Sequence, residues 1–186
     1  MSGTYENGHI SNFRIPLVFR HPLLPKIQVT ANATSMSVVP TILDLLVQTK
    51  SLNKMDSAAA LDLINEYEGQ SLIRPYQATR NGRQAWNFGI INAGGTMLSV
   101  GSAAVPYRLI LPLTRDFEYV FSNLHTDPDE LSPLREWSIG RLVKQVKKQH
   151  GDHAGQWVTE AAQVGRWWVR ERKRLWNHEQ SYIRTN

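Results

Sequence analysis

The pattern of hydrophobic and polar positions changes twice along the chain. Up to about residue 80, one continuous apolar run precedes two segments of helical spacing, whereas short apolar runs separated by turns begin at about Trp86. From Ala154 to Trp176 the apolar positions return to helical spacing. These changes predict a first region, residues 1–80, with a strand and helices, and a second region, residues 81–186, with a small sheet and a helical tail.

The first region opens with an apolar run, Ile-Pro-Leu-Val-Phe, that lies between Arg14 and His21. Pro16 falls inside the run and Pro22 follows it. A short continuous apolar run is typical of a strand that is covered on both faces, because neither set of alternating side chains is polar. We therefore predict a buried central strand from Arg14 to His21.

Two helices are predicted after this strand. The stretch from Pro40 to Val47 has apolar residues at helical spacing, and a proline suits the first helical turn. In the next helix, Asp56 is a suitable N-cap and Gly69 a suitable end. The apolar face predicted for the first of these helices comprises Ile42, Leu45 and Leu46.

The second region begins with four short apolar segments, residues 85–93, 96–102, 107–113 and 117–124. The pair Gly94-Gly95 separates the first two segments, which predicts a hairpin. The same glycines could form a phosphate-binding loop, but they lie between two strands and lack the Gly-x-x-x-x-Gly-Lys pattern. We therefore predict an antiparallel sheet of four strands.

The C-terminal segment predicts an amphipathic helix with a tryptophan-rich apolar side. Residues on this side step by three, four and seven positions. They are Trp157, Ala161, Val164, Trp168 and Leu175. Four cations fall largely elsewhere on the helix and are the candidate partner-binding residues. They are Arg166, Arg170, Lys173 and Arg174.

This basic helix has three interpretations. Cations beside tryptophans can bind phosphates and stack on bases of single-stranded nucleic acid, or can lie on a membrane surface. The tryptophans follow the apolar side, however, and Glu171 interrupts the cationic run. We therefore favour a core-facing helix with a solvated basic face, and we do not expect nucleic acid as a partner.

Composition limits the function classes. Of 186 residues, 41% are hydrophobic and 20% charged, with a net charge of +5, which is typical of a globular protein. The chain has no cysteine, which excludes disulfides, thiolate metal sites and a cysteine nucleophile. No apolar window approaches the length of a membrane span, and the N-terminus has no signal-peptide pattern. We expect a soluble, cytoplasmic protein.

Several acidic and imidazole side chains surround Pro128, namely His125, Asp127, Asp129 and Glu130. They resemble cation ligands, and His150-x-x-His153 has a spacing found in some metal sites, but no fixed third ligand accompanies it. Alternatively, the acidic cluster is a turn in which Pro128 fixes a bend and Asp127 or Asp129 accepts hydrogen bonds from backbone amides. We prefer this structural interpretation and expect no metal here.

Three segments, in order, resemble the sulfatase family of the alkaline-phosphatase superfamily. Residues 5–22, "YENGHISNFRIPLVFRHP", are similar to the family's Tyr-Glu-x-Gly and Arg-Val-Pro-Leu-Ile segments. Residues 35–46, "SMSVVPTILDLL", with 69–75, "GQSLIRP", resemble its Pro-Thr-Leu-Leu-Asp-Leu helix and Gly-x-Ser-Leu turn. Residues 118–134, "EYVFSNLHTDPDELSPL", resemble its late strand and Asp-Pro-x-Glu turn. The resemblance covers most of residues 5–135.

The resemblance implies an α/β fold: the C-terminal part of a sulfatase-like α/β core, then a small antiparallel four-stranded sheet and a C-terminal amphipathic helix. It also implies a relationship to sulfuric ester hydrolases. Sulfatases use a formylglycine nucleophile from a Cys/Ser-x-Pro-x-Arg motif and a divalent cation such as Ca²⁺, held in part by an Asp-His-Gly or Asp-Asn-Gly segment. Neither motif occurs in this sequence.

We therefore expect a truncated sulfatase-like chain, or pseudoenzyme, that is inactive alone and holds no cofactor. The resemblance leaves Tyr5, Glu6 and His9 as weak catalytic candidates, because they lie beside the position of the family's pocket. Expected partners are an N-terminal sulfatase half that supplies the absent motifs, or a second copy of the chain. The alternative is a binding or regulatory module that contacts a protein or nucleic acid through the basic C-terminal helix.

Overall fold

A computed structural model of the chain describes residues 8–24, 26, 28, 33–67, 69–74, 86–92 and 94–185. The described residues form two compact units. The helical unit comprises those within 14–87 and 102–105, and the sheet unit comprises those up to residue 13, within 88–101 and from 106 onward. The first region's helices therefore lie in one unit, and almost all of the predicted sheet lies in the other.

The helical unit contains both predicted helices, α1 at Val38–Gln48 and α2 at Lys54–Glu66, which pack on each other. The N-cap of α2 is Asn53, whose side-chain oxygen accepts a hydrogen bond of 2.8 Å from the backbone N–H of Asp56. The prediction of Asp56 as N-cap is therefore wrong, and this residue lies in the first turn instead. The helix also ends before Gly69, because the backbone is already extended at Tyr67.

The buried side of α1 differs from the predicted one. The fully buried residues of this helix are Pro40, Thr41 and Asp44, whereas Ile42 is exposed. Apolar periodicity failed here because Thr41 and Asp44 both bind the turn that follows α2. Their polar atoms are therefore satisfied inside the unit.

The predicted central strand from Arg14 to His21 is wrong. These residues form neither helix nor strand, and most of their apolar side chains are exposed. A strand requires a neighbour to satisfy its backbone groups, and none of the described residues pairs with this segment.

The sheet unit is built on a five-stranded antiparallel meander in which the spatial order of the strands follows the sequence. The strands are β1 (Trp86–Ile90), β2 (Met97–Ser102), β3 (Tyr107–Pro112), β4 (Tyr119–Asn123) and β5 (Leu134–Glu136). The hairpin between β1 and β2 and the two following strands confirm the prediction. Strand β5 was not predicted, because a strand of three residues is too short to show alternation.

Two helices follow the sheet, α3 at Ile139–His150 and α4 at Asp152–Thr185. The predicted C-terminal helix is confirmed and begins earlier than expected, whereas α3 was not predicted. Basic side chains dominate α3, but Leu142 and Val146 form a fully buried apolar side. Both helices pack on each other, and α3 also contacts β4 and β5.

The core lies between one face of the sheet and α4. On this face Leu98 pairs with Leu111, Val100 with Leu109, and Leu109 with Phe121. The helix approaches closely at Gly165, where a Cβ atom would lie only 3.0–3.2 Å from side-chain carbons of β2 and β3. The predicted apolar side of the helix is thus in the core at Trp157 and Ala161, while Leu175 is exposed.

Candidate functional site

The opposite face of the sheet carries an open pocket of about 290 Å³. Its floor is apolar, because Met97, Ile110 and Val120 alternate with the core residues along their strands and form a second small cluster with Ile91. Ionisable side chains surround this floor. They are His9, Asp116, Glu118, Glu130 and Arg135. An apolar floor with a few polar groups is the usual composition of a small-molecule site.

A buried ion pair lies on the same face, beside the pocket. The Nη1 atom of Arg108 donates hydrogen bonds of 2.8 and 2.7 Å to the two carboxylate oxygens of Glu130, and its Nε donates to Ser99 Oγ at 2.9 Å. Both charged side chains are about 95% buried. Mutual pairing is required at this depth, because an unpaired buried charge costs several kcal/mol.

The ion pair also fastens the N-terminal part of the sheet unit. The backbone N–H of Ile10 donates a hydrogen bond of 2.6 Å to Glu130 Oε2, and the Phe13 ring lies 5.2 Å from Arg108 Cζ, at a cation–π distance. Arg108 Nη2 is buried and has no hydrogen-bond partner among the described residues. Glu130 is therefore the point at which β3, the acidic turn and the N-terminal segment meet.

The pocket offers charged groups for binding but no hydroxyl, thiol or amine nucleophile. Among its described lining residues there is no Ser, Thr, Cys or Lys. No group of three or more His, Cys, Asp or Glu side chains that could hold a metal ion occurs in the described part of the chain.

Of the three weak catalytic candidates, only His9 lies among the described residues. Tyr5 and Glu6 lie outside the described residues. His9 lines the pocket, and its Nδ1 accepts a hydrogen bond of 3.2 Å from the backbone N–H of Ser11, which caps the 3₁₀ turn Ile10–Asn12. This contact gives His9 a structural role whether or not it also contacts a ligand.

The acidic turn has the predicted capping role. The carboxylate of Asp127 accepts hydrogen bonds from the backbone N–H groups of Leu131 at 2.9 Å and Ser132 at 2.8 Å. His125 is exposed. The pairing of Glu130 with Arg108 was not predicted; an arginine at the second position of the apolar strand "YRLILP" was the available signal.

The two histidines with metal-like spacing pack against aromatic rings. His150 lies 5.4 Å from the ring of Phe121, and His153 lies 6.4 Å from the ring of Tyr107. His150 ends α3 and His153 is in the first turn of α4, so the two histidines lie on either side of a tight helix-to-helix connection.

A second polar site lies in the helical unit, where Asp44 is fully buried. Arg74 binds its carboxylate in a bidentate way, with Nε–Oδ2 and Nη2–Oδ1 distances of 2.6 Å, and Ser71 Oγ donates a further bond of 2.6 Å. Burial by itself raises the pKa of Asp44, but the hydrogen bonds from Arg74 and Ser71 and the charge of Arg74 outweigh it. The pKa of Asp44 therefore lies below its ordinary value.

Asp44→Asn should destabilise the helical unit at pH 7 by about 1–3 kcal/mol, because it weakens the bidentate bond to a charged partner. Since the folded pKa is depressed, the contribution is complete above the ordinary value of 3.8 and is lost as the pH falls through the folded pKa. Urea unfolding between pH 2 and 7 measures this. The exposed Asp62→Asn is the control, and an unchanged pH profile in Asp44→Asn would contradict the assignment.

The basic surface is larger than the sequence analysis predicted. Residues 139–175 contain nine Lys or Arg and three Asp or Glu, so this segment contributes more than the whole net charge of the chain. Of the four predicted partner-binding residues, Arg166 donates to Tyr119 Oη at 2.6 Å and Arg174 pairs with Glu171 at 2.5 Å. Arg170 and Lys173 are exposed.

Helix α3 adds cations that were not predicted as candidates. They are Arg141, Lys144, Lys147 and Lys148, all exposed. Lys147 pairs with Asp152 at 3.3 Å, and the stem of Lys147 lies against Gly155. The available signal was a segment of twelve residues, 139–150, without any acidic side chain.

Comparison of the chain with models of protein families, with curated proteins and with solved structures found no match. Within the part of the chain that the structure describes, no helix is both long and apolar enough to cross a bilayer.

Proposed function

We propose that the chain is a sulfatase-like protein, related to the sulfuric ester hydrolases, and that these 186 residues alone do not hydrolyse sulfate esters. The proposal rests on the three resembling segments and on a contact between the two parts of the second one, the helix and the turn. In this proposal the chain contributes part of the fold but no catalytic groups. The nucleophile and metal-ligand motifs that sulfate-ester hydrolysis requires do not occur in the sequence.

The observation that carries the proposal is the docking of the Gly-Gln-Ser-Leu turn on α1. The backbone N–H of Leu72 donates to Thr41 Oγ1 at 2.9 Å, and Ser71 donates to Asp44. Thr41 and Asp44 belong to the Pro-Thr-Ile-Leu-Asp-Leu helix, so two segments that resemble sulfatases separately are joined by their most characteristic polar residues.

Gly69 explains why the turn begins with glycine. A Cβ atom at this position would lie 2.2 Å from the carbonyl oxygen of Met36, so any side chain would displace the turn from the start of α1. The glycine and the serine of the Gly-x-Ser-Leu pattern therefore each have a physical reason in this chain. These contacts support the resemblance independently of the similarity in sequence.

The partner in this proposal is a polypeptide that supplies the nucleophile and metal ligands of a sulfatase. A second copy of the chain cannot supply them, because it carries the same sequence. We do not adopt the nucleic-acid alternative: of the α4 tryptophans whose side chains are described, Trp157 is buried and Trp168 is stacked on Phe88 at 5.1 Å, so that Trp167 alone is accessible. Base stacking requires accessible rings, and these two rings already have protein partners.

The purified chain should give no turnover above the buffer rate with p-nitrophenyl sulfate or p-nitrophenyl phosphate, with or without added Ca²⁺ or Mg²⁺. A commercial arylsulfatase serves as the positive control. Turnover that depends on the metal and elutes with the chain in size-exclusion chromatography would contradict the proposal.

A further inference from the structure

We infer that the pocket on the sheet face opposite α4 binds a small organic cation, which carries one ammonium group on an apolar body. All of the pocket's lining residues belong to the sheet unit. The inference therefore requires neither the relationship to sulfatases nor a partner polypeptide, and it can be tested on the chain alone.

The strand register brings a carboxylate and an indole together in this pocket. Val120 lies opposite Ile110 on β3 and opposite Arg135 on β5. Side chains alternate along a strand, so Glu118, two positions before Val120, lies on the same face. One residue beyond the paired positions, Glu118 continues this register opposite Trp137, and both line the pocket. Directly opposite residues of antiparallel strands have Cβ atoms about 4.5–5.5 Å apart, so one bound group can contact both side chains.

The two carboxylates at the start of β4 have no partner among the described residues. No Lys, Arg or His side chain of this part of the chain pairs with Asp116 or Glu118, and no N–H or O–H group donates to either carboxylate. The third lining carboxylate, Glu130, is already neutralised by Arg108. Two unpaired carboxylates in a concave site attract a cation, although the chain as a whole has a net charge of +5.

The indole of Trp137 provides a second contact for a cation. Trp137 is 62% exposed. Within the described part of the chain, no aromatic ring and no guanidinium group packs on it. A cation within about 6 Å of an indole centroid is attracted by the electrons of the ring face. An ammonium group between Glu118 and Trp137 would gain this attraction together with the charge of the carboxylate.

The apolar floor favours an organic cation over a metal ion. Phe117 packs against the floor, which Met97, Ile110 and Val120 form with Ile91. Hydrocarbon surface provides no ligand atoms for a metal ion, whereas it removes the apolar body of an alkylamine from water. At about 290 Å³ the pocket is at the lower end of the volumes of small-molecule sites, so the ligand is small.

Arg135 limits the charge of the ligand. It is the one Lys or Arg among the described lining residues, and it lies opposite Val120, beside the Glu118–Trp137 pair. A ligand with a single ammonium group can lie on the acidic side of the pocket. A diamine would bring its second charge towards the guanidinium, and an anion would meet the carboxylates of Asp116 and Glu118. We therefore expect one positive charge and no negative charge on the ligand.

The first test titrates the chain with hexylamine, 1-hexanol and hexanoate, which share one apolar stem and differ in charge. The methyl NMR signals of Met97, Ile110 and Val120 report binding to the pocket floor. We expect a dissociation constant for hexylamine at least about fivefold lower than that for 1-hexanol, because only the ammonium group gains the contacts with the carboxylates and the indole. Hexanoate should bind more weakly than 1-hexanol. Equal affinities for the three ligands, no response to hexylamine, or tighter binding of hexanoate would overturn the inference.

Two pairs of variants locate the ammonium group. Glu118→Gln should weaken hexylamine binding by about two- to fivefold, whereas Glu160→Gln, which changes an exposed carboxylate on α4, should not alter it. Trp137→Ala should weaken binding by about two- to fivefold, and Trp167→Ala, at a position that is 55% exposed, should not. None of the four side chains is buried, so all four variants should fold. Equal losses in a pocket variant and its control would overturn the inference.

Arg135→Gln distinguishes a site for a cation from a site for a zwitterion. Removal of a like charge beside the ammonium group should strengthen hexylamine binding, by about twofold. The probe 6-aminohexanoate, which adds a carboxylate to the same stem, should bind more weakly than hexylamine. Weaker hexylamine binding by Arg135→Gln, or tighter binding of 6-aminohexanoate by the unmodified chain, would overturn the inference and assign Arg135 to a ligand carboxylate.

Discussion

Glu130→Ala should lower the free energy of unfolding of the protein by about 3–5 kcal/mol, the cost of leaving a buried charge without its partner. Arg108 is about 95% buried and could not reach water without disturbing β3. The substitution also removes the acceptor of the Ile10 backbone N–H. Urea unfolding followed by circular dichroism measures the change.

Three variants make this prediction specific to the ion pair. Glu118→Ala also removes a carboxylate that lines the pocket, but this side chain is only half-buried, so the expected change is within about 0.5 kcal/mol. Glu130→Gln should cost less than Glu130→Ala, since it retains an acceptor for Ile10. The double replacement Arg108→Met with Glu130→Leu should recover part of the loss, because no charge remains buried. Equal losses in Glu118→Ala and Glu130→Ala would contradict the assignment.

Trp157→Ala should lower the free energy of unfolding by about 3–5 kcal/mol. Trp157 is 1% exposed, and its ring contacts Tyr107 at 5.5 Å and Phe121 at 6.4 Å in edge-on geometries. Removal of the indole would leave a cavity between α4 and the sheet, and the loss of two aromatic contacts adds to the cost.

The matched control is Trp167→Ala on the same helix. Trp167 is 55% exposed, so its removal should change the stability by no more than about 0.5 kcal/mol. Thermal unfolding of both variants decides between a core-facing helix and a helix whose tryptophans serve a ligand. Similar stabilities for the two variants would show that the apolar side of α4 does not form the core.

Local pattern was sufficient for elements whose side chains obey one period. Helices α1 and α2 and the strands β2, β3 and β4 follow from spacing and from turn residues, because these signals act over a few positions. The same local reasoning missed α3, in which Leu142 and Val146 are the only fully buried residues among many cations. Two apolar residues within a charged segment are a weak signal for a helix. Their burial depends on the neighbouring helix α4, which the local pattern does not report.

The candidate sites depended on residues far apart in the sequence. Arg108 and Glu130 are separated by 22 positions, and Asp44 and Ser71 by 27. No local period reports such pairs, and a buried arginine in a strand is identical in sequence to an exposed one. The capping role of Asp127 could be predicted from the sequence, because its carboxylate and the N–H groups that it accepts from lie within five residues of each other.

The sequence by itself determined α1, α2, the first four strands of the sheet, the C-terminal helix and the absence of thiol chemistry, since these follow from composition and short-range spacing. Only the tertiary structure decided that Thr41 and Asp44 are buried in place of the apolar side of α1, and that residues 15–20 have no strand partner. The physical reason is that burial and strand pairing depend on what a segment meets in space. An apolar run indicates that its side chains favour burial, but it does not specify which part of the structure buries them.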